Sequence, residues 1–199
     1  MTREADASRK PTLLAQILEY LLDKPLATLS FRTLAKALDV STFTLVYHFG
    51  SRAQLLSDIV WAISAREKDI QVNLSQNRGS LDAYFEGLER SWEWSVQPRN
   101  RELQRLEFEA SMMEAQDPTS HTFTRALYAH WQEIGRDALL AFGLSEADAE
   151  TESRLNVDSI FGIQYDLVIN KDVERATAAF GLMLASYRAR VETLMASVR

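Results

Sequence analysis

The sequence predicts an all-α protein of about nine helices. Its apolar side chains recur every three or four residues through most of the chain, which is the spacing of one helix face. No stretch sustains the alternation of apolar and polar residues that a half-buried strand shows, and no Asn-Gly or Asp-Gly pair favours a hairpin turn. The seven glycines and four prolines stand mostly where the helical patterns end.

The first helical pattern is followed by a short one. Apolar residues from Leu13 to Leu22 mark the first helix, which we expect to open at Pro11, because the first turn leaves its N–H groups unpaired and proline has none. This helix should end at Lys24-Pro25, since the residue before a proline disfavours helical backbone. Ser30 is a candidate N-cap for a second helix that runs to Leu38.

A third and a fourth helix follow closely. Asp39-Val40-Ser41 interrupts the pattern, and its serine is the next candidate cap. The third helix should have Leu45 and Phe49 on its buried face and should stop at Gly50, as helices often do at a glycine. Ser51 can cap a fourth helix that continues toward residue 74.

Five longer helical patterns fill the rest of the chain. Their apolar faces lie at Leu81–Val96, at Leu103–Met113, at Phe123–Ala138, after a Ser145 cap, and at Val173–Val198. The chain contains no internal repeat and no low-complexity tract.

The composition excludes several kinds of chemistry. The chain has no cysteine, so disulfides, thiolate metal sites and cysteine nucleophiles are excluded. His48, His121 and His130 are too few and too scattered for a zinc site, and we expect neither a metal nor a cofactor. No apolar run reaches membrane-spanning length, and the N-terminus has no apolar signal segment, so we expect a cytoplasmic protein without a membrane partner.

The net charge of -6, taken for the whole chain, argues against a nucleic-acid binder. Residues 1–56, however, carry seven basic and five acidic side chains and are therefore +2, which leaves -8 for residues 57–199. This weak asymmetry suggests two domains, 1–56 and 57–199, with different functions.

The first region has the arrangement of a helix-turn-helix. Two short helices joined by a tight turn follow a longer helix, and the second of the pair would enter the major groove. We predict DNA contacts for the polar and aromatic residues of that helix and for nearby cations: Arg32, Lys36, Thr42, Phe43, Thr44, Tyr47, His48 and Arg52. Arg9 and Lys10 could form an additional arm. The alternative is a plain three-helix cluster with polar residues outside.

From Ser30 to Leu56 the chain resembles the N-terminal domain of the TetR family of transcriptional regulators. That family shows Thr-x-x-x-Ile-Ala, three residues, Gly-Val-Ser, a Thr-Leu-Tyr-x-His-Phe run, a turn ending in Ser-Lys, and Leu-Leu. The corresponding residues here, in register, are Ser30-Phe31-Arg32-Thr33-Leu34-Ala35, Lys36-Ala37-Leu38, Asp39-Val40-Ser41, Thr44-Leu45-Val46-Tyr47-His48-Phe49, Gly50-Ser51-Arg52 and Leu55-Leu56.

Three positions depart from the family pattern. Asp39 replaces a glycine in a turn that favours left-handed backbone, which aspartate tolerates at some cost. Val46 replaces a tyrosine that lies against the DNA backbone in the family, and Arg52 replaces a lysine while keeping its charge. We expect these changes to tune the affinity and the choice of operator without abolishing DNA binding.

The resemblance implies a repressor that binds a palindromic operator as a homodimer and is released by a small-molecule ligand. It implies a dimer interface on the last two helices, for which we predict Ile160, Ile163, Leu167, Phe180, Met183, Tyr187 and Val191. It implies a mostly apolar pocket in the middle helices, for which we predict Leu88, Trp92, Phe108, Met112, Trp131, Phe161 and Tyr165. The alternative for both groups is that they are ordinary core residues.

Two other functions remain open at this point. The C-terminal half of a TetR-like protein could respond to a protein partner instead of a small molecule. A small helical enzyme could use Glu107 and Glu109, or Asp166 and His130, as acid–base pairs, although nothing fixes their spacing and no catalytic motif accompanies them. We therefore do not expect an enzyme.

Overall fold

The computed structural model of this protein describes residues 9–64, 80–116 and 123–197. Within these ranges it contains nine α-helices and no strand, so the predicted all-α class is confirmed. The helices are α1 (Arg9–Leu21), α2 (Phe31–Leu38), α3 (Thr42–Phe49), α4 (Arg52–Ser64), α5 (Leu81–Ser95), α6 (Pro98–Gln116), α7 (Phe123–Ala141), α8 (Glu146–Asn170) and α9 (Val173–Ser197). A 3₁₀ turn at Leu26–Thr28 precedes α2.

Most helix ends lie close to the predicted ones, although the first helix ends at Leu21, before the predicted Lys24-Pro25. The first helix begins at Arg9, so Pro11 lies inside its first turn, where its missing N–H is still harmless. Pro98 was expected only to end a helix, but it also opens α6 as the first residue, several positions before Leu103. The predicted continuation of the fourth helix beyond Ser64 lies outside the described residues.

The chain divides into two compact units. Met1–Arg66 and Glu102–Thr124 form the first unit, and Glu67–Arg101 and Arg125–Arg199 form the second. Helix α6 therefore starts in the second unit and belongs to the first from Glu102 onward. The predicted domain boundary after residue 56 stays a prediction.

The first unit is built around the apolar faces of α1 to α4. These helices bury side chains that are at most 3% exposed: Leu13, Ile17, Leu18, Leu21, Leu34, Leu45, Phe49, Leu55, Ile59 and Ile63. Each buried side chain of this size contributes about 1.5–3 kcal/mol through the hydrophobic effect. This core holds the two short helices α2 and α3, which are too short to be stable alone.

Helix α6 binds the end of α1 through two charged residues. The Arg105 guanidinium Nη2 donates to the carbonyl oxygens of Leu21 at 2.9 Å and Leu22 at 3.2 Å, which satisfies acceptors that a helix end leaves unpaired. Glu109 pairs with Arg105 and accepts the backbone N–H of Leu26 at 2.5 Å. We call Arg105 and Glu109 the α6 clamp. Sequence reasoning missed this clamp, because its partners are backbone atoms distant in the chain.

The second unit packs α5, α7, α8 and α9 around an aromatic core. The hydroxyls of Tyr84 and Tyr187 lie 3.1 Å apart within it, and burial raises the pKa of Tyr84 to about 12. Helices α7 and α8 approach closely at Gly135, where an added Cβ would lie 2.8 Å from the Ser153 hydroxyl. No helix of the described ranges is long and apolar enough to cross a membrane.

Candidate nucleic-acid interface

The turn between α2 and α3 is set by local side-chain contacts. Ser30 caps α2 by accepting the backbone N–H of Thr33 at 3.1 Å, and the Thr33 hydroxyl accepts the Ser30 N–H in return. Helix α2 then ends at Asp39, whose φ of 53° lies in the left-handed region. The prediction that this position needs left-handed backbone is confirmed, with aspartate in place of the usual glycine.

Helix α3 has a capped start and a glycine at its end. The Ser41 side chain accepts the backbone N–H of Thr44 at 2.9 Å, as predicted for this cap. Gly50 follows the last residue with a φ of 67°, a conformation that a side chain would strain. Leu45 and Phe49 are almost fully buried, so the predicted inner face of this helix is confirmed.

The outer face of α3 exposes three large apolar or aromatic side chains. Phe43 is 78% exposed, Tyr47 63% and Val46 44%. The Phe43 and Tyr47 rings are nearly parallel with centroids 6.5 Å apart, and the Tyr47 ring meets His48 edge-on at 5.1 Å. Such a concentration on a helix of eight residues is the kind of exposed patch that marks an interaction surface. We call Phe43, Val46 and Tyr47 the α3 face.

The remaining residues predicted on α3 differ in their surroundings. Thr42 is exposed and His48 is half-buried. Thr44 is also half-buried, and its hydroxyl lies 2.8 Å from the Ser41 hydroxyl, so it takes part in the cap at the start of the helix. The structure therefore gives Thr44 a local role that the sequence pattern did not indicate.

The predicted cations also fall into two groups. Arg32 and Lys36 are exposed on α2. Arg52, at the start of α4, donates from Nε to the Leu29 carbonyl at 3.1 Å, which leaves the two Nη groups of its fork for another partner.

Arg9 and Lys10, which were expected to form an arm before the first helix, both lie within α1. Lys10 lies in α1, where its ammonium is 2.8 Å from the Asp58 carboxylate and 5.6 Å from the Phe49 ring centroid. Lys10 is thus tied into the first unit.

The residues predicted for a ligand pocket are spread over both units. Phe108 and Met112 belong to the first unit, and the other five belong to the second. Leu88 and Trp92 are buried in the core of the second unit, Trp131 and Phe161 are half-buried there, whereas Met112 is 62% and Tyr165 53% exposed. The pocket assignment stays a prediction.

The residues predicted for a dimer interface lie mostly in the core. Leu167, Phe180, Tyr187 and Val191 are at most 5% exposed and pack inside the second unit. Ile160, Ile163 and Met183 are half-buried at the edge of that core. The large apolar side chains that α8 and α9 expose are others: Leu155, Tyr165, Ile169, Val173 and Leu182.

The sequence matches no protein-family model and no curated protein sequence. Solved structures are similar over nearly the whole chain. NalD, the secondary repressor of the MexAB-OprM multidrug efflux pump in Pseudomonas aeruginosa, matches with a TM-score of 0.66 and 17% identity over 92% of this chain and 97% of its own.

Two further structures are similar over almost the whole chain. A TetR-family transcriptional regulator from Pectobacterium atrosepticum matches with a TM-score of 0.61 and 18% identity, over 100% of this chain and 97% of its own. A Mesorhizobium loti protein assigned to the same family matches with a TM-score of 0.57 and 16% identity, over 99% of this chain and 98% of its own. The fold of this chain is therefore that of the TetR-family transcriptional regulators.

Proposed function

We propose that this protein is a TetR-type DNA-binding regulator, acting as a repressor that a small-molecule ligand releases from a palindromic operator. The α3 face is the observation that carries the proposal, because it exposes two aromatic rings and a valine on the second helix of a helix-turn-helix. Thymine methyl groups in the major groove are suitable partners for such side chains. The description of NalD as a repressor supports the same mode of action.

Around the α3 face, the polar residues have complementary roles. We assign Thr42, Tyr47 and His48 to base edges or the sugar–phosphate backbone, since their side chains can donate or accept hydrogen bonds. Arg32 and Lys36 on α2 would neutralise phosphates. Arg52 would add its Nη groups to the free N–H groups at the start of α4, which attract phosphate themselves.

A dimer would place two copies of this surface on two half-sites. Helices α8 and α9 each expose a stripe with alternating spacings of four and three residues, as in a coiled-coil seam. The stripe on α8 is Thr151, Leu155, Asp158, Gly162, Tyr165 and Ile169, and the stripe on α9 is Ala178, Leu182, Ala185, Ala189, Glu192 and Ala196. We call these two stripes the α8/α9 seam.

The α8/α9 seam suits a second copy of the chain. Its residues are mostly small or apolar, so two helices from each subunit could pack closely as a four-helix bundle. An added Cβ at Gly162 would meet nothing within 4 Å in the single chain, so this glycine leaves open space that a facing helix could use. The seam replaces the four buried residues as our proposed interface.

Release from the operator needs a link to the DNA-reading helices. The α6 clamp offers one, because it joins α6 to the end of α1 and to the 3₁₀ turn before α2. A ligand that binds more tightly to a conformation in which α6 is displaced would move these anchors. It would lower operator affinity by at most the ratio of its own affinities for the two conformations.

Selection of bound sequences from a random pool of double-stranded DNA tests the proposal. We expect an even-length palindrome with half-sites centred about 34 Å, or a multiple of that distance, apart. The variant Phe43→Ala/Tyr47→Ala is the control, because both side chains are exposed and their removal should leave the helical circular-dichroism spectrum intact. A pool that stays random, or a selected site without two-fold symmetry, would contradict the proposal.

A further inference from the structure

A groove of about 500 Å³ lies between α5 and α9, within the second unit. Aromatic side chains from both helices line it: Phe85 and Trp92 from α5 and Phe180 from α9, of which the last two stack nearly parallel with centroids 4.7 Å apart. The indole N–H of Trp92 donates to the Thr177 hydroxyl at 3.1 Å, so its polar atom is already satisfied. The groove therefore has an apolar lining and the volume of a small-molecule site.

The charges around this groove are mainly negative. Glu89 and Glu93 line it from α5, four residues apart and so on one helix face, and neither has an ion-pair partner within the described residues. Arg188 lines it from α9, but its charge is compensated by contacts to Asp82 and Glu192. The arginine also covers the Phe85 ring, with its guanidinium carbon 5.2 Å from the ring centroid. An occupant would thus meet two uncompensated carboxylates beside an aromatic lining.

We propose that this groove binds a small organic cation with an aromatic or otherwise apolar body. The apolar body would pack against the exposed edges of the groove lining, and the positive centre would be attracted by Glu89 and Glu93. A partner helix is about 10 Å in diameter, so a volume of about 500 Å³ would hold little more than one of its turns. None of these features follows from the resemblance, and the groove shares only Trp92 with the predicted ligand pocket.

The wall opposite the carboxylates offers a way to close the groove. Gly181 lines it from α9, and an added Cβ there would meet nothing within 4 Å. A larger side chain at this position would fill the groove, and a leucine also favours helix more than glycine does. Gly181→Leu should therefore block the site while leaving the fold intact.

Calorimetric titration of the full chain with methyltriphenylphosphonium tests the site. Triphenylacetate is the matched probe, because it carries the same three rings with the opposite charge. We expect the phosphonium to bind at least about tenfold more tightly than triphenylacetate, and the preference to shrink at high salt. Binding should also shift the nuclear magnetic resonance signal of the Trp92 indole N–H.

Three variants locate the binding. Glu89→Gln/Glu93→Gln should weaken phosphonium binding about tenfold, and Gly181→Leu should abolish it. Glu86→Gln removes an acid of the same helix that does not line the groove and pairs with Arg90, so it should leave the affinity unchanged. Equal affinity for both probes, or unchanged binding by Gly181→Leu, would overturn the proposal. If the unmodified chain does not bind the phosphonium and Gly181→Leu changes its oligomeric state, the groove belongs to a second copy and the proposal is overturned.

Any effect of this site on operator binding rests on the proposed function, whereas phosphonium binding does not. Groove binding without a selected operator would support the site and contradict the proposed regulator. A selected palindrome without phosphonium binding would support the proposed regulator and contradict the groove site.

Discussion

The two units depart from the usual separation of apolar and charged residues in different ways. The first unit exposes aromatic side chains on the α3 face and buries the carboxylate of Glu107, which is only 7% exposed. Burial raises the pKa of this carboxyl to about 7. The second unit exposes small and aliphatic side chains along the α8/α9 seam, and its buried acid Glu152 is paired with Arg190 at 3.0 Å.

These differences indicate different partners. Rings beside hydroxyl-bearing and basic residues suit base edges and phosphates, which need shape, hydrogen bonding and positive charge together. Alanine, glycine and leucine at coiled-coil spacing suit another helix, which needs close approach. The paired acid in the second unit is a structural contact, whereas the acid in the first unit makes that unit sensitive to pH.

The largest expected effect tests whether the α8/α9 seam meets a second copy. Leu182 is 74% exposed in the single chain, so Leu182→Glu should leave the fold of one subunit intact. In a dimer the same change would bury a charge at the two-fold interface and should cost about 4 kcal/mol or more, roughly a thousandfold in the dissociation constant. Sedimentation equilibrium measures this change.

The control for this variant is Ala141→Glu, which adds the same charge at an exposed site on α7 that is not part of the seam. It should behave as the unmodified chain does. A dimer of unchanged strength in Leu182→Glu would contradict the α8/α9 seam, and so would dissociation of both variants.

The sequence predicts the helix ends of the first unit better than the buried faces of the second. The ends of α2 and α3 were predicted correctly, because Ser30, Ser41 and Gly50 act on backbone groups within a few residues of themselves. The buried face of α9 was not predicted, because apolar side chains lie all around this helix and their periodicity does not indicate which face packs against the core. Large side chains such as Phe180 suggested an interface, but they fill the core, and the small residues face outward.

The second-largest effect tests the buried acid of the first unit. Glu107 holds its proton more tightly in the folded chain than in the unfolded chain, where its carboxyl has the ordinary pKa of 4.5. Stability should therefore fall as the pH rises from about 4.5 to about 7 and stay lower above it. Glu107→Gln keeps the neutral shape, so urea unfolding should show it about 3 kcal/mol more stable than the parent at pH 8 and equal at pH 4. Equal stabilities at both values would place the Glu107 carboxylate in contact with a compensating charge.

A smaller effect is expected on the α3 face itself. Tyr47→Ala removes an exposed ring and hydroxyl, and should weaken binding to the selected operator by about 1–3 kcal/mol without changing chain stability. The loss should not depend on salt, because tyrosine is uncharged. Fluorescence anisotropy measures the affinity and its salt dependence, with Gln16→Ala on the exposed side of α1 as control. An unchanged affinity would show that the Tyr47 ring does not contact DNA.

The smallest expected effect separates phosphate attraction from base reading within the first unit. Lys36 is an exposed cation on α2, so Lys36→Ala should lower operator affinity only about threefold at moderate salt, while reducing the slope of log affinity against log salt by about 1. Arg125→Ala removes the same charge from an exposed site on α7 in the second unit and should leave the slope unchanged. If both variants reduce the slope equally, the attraction comes from the charge of the whole chain. If only Lys36→Ala reduces it, a few placed cations on the first unit bind phosphate even though the chain carries a net charge of -6.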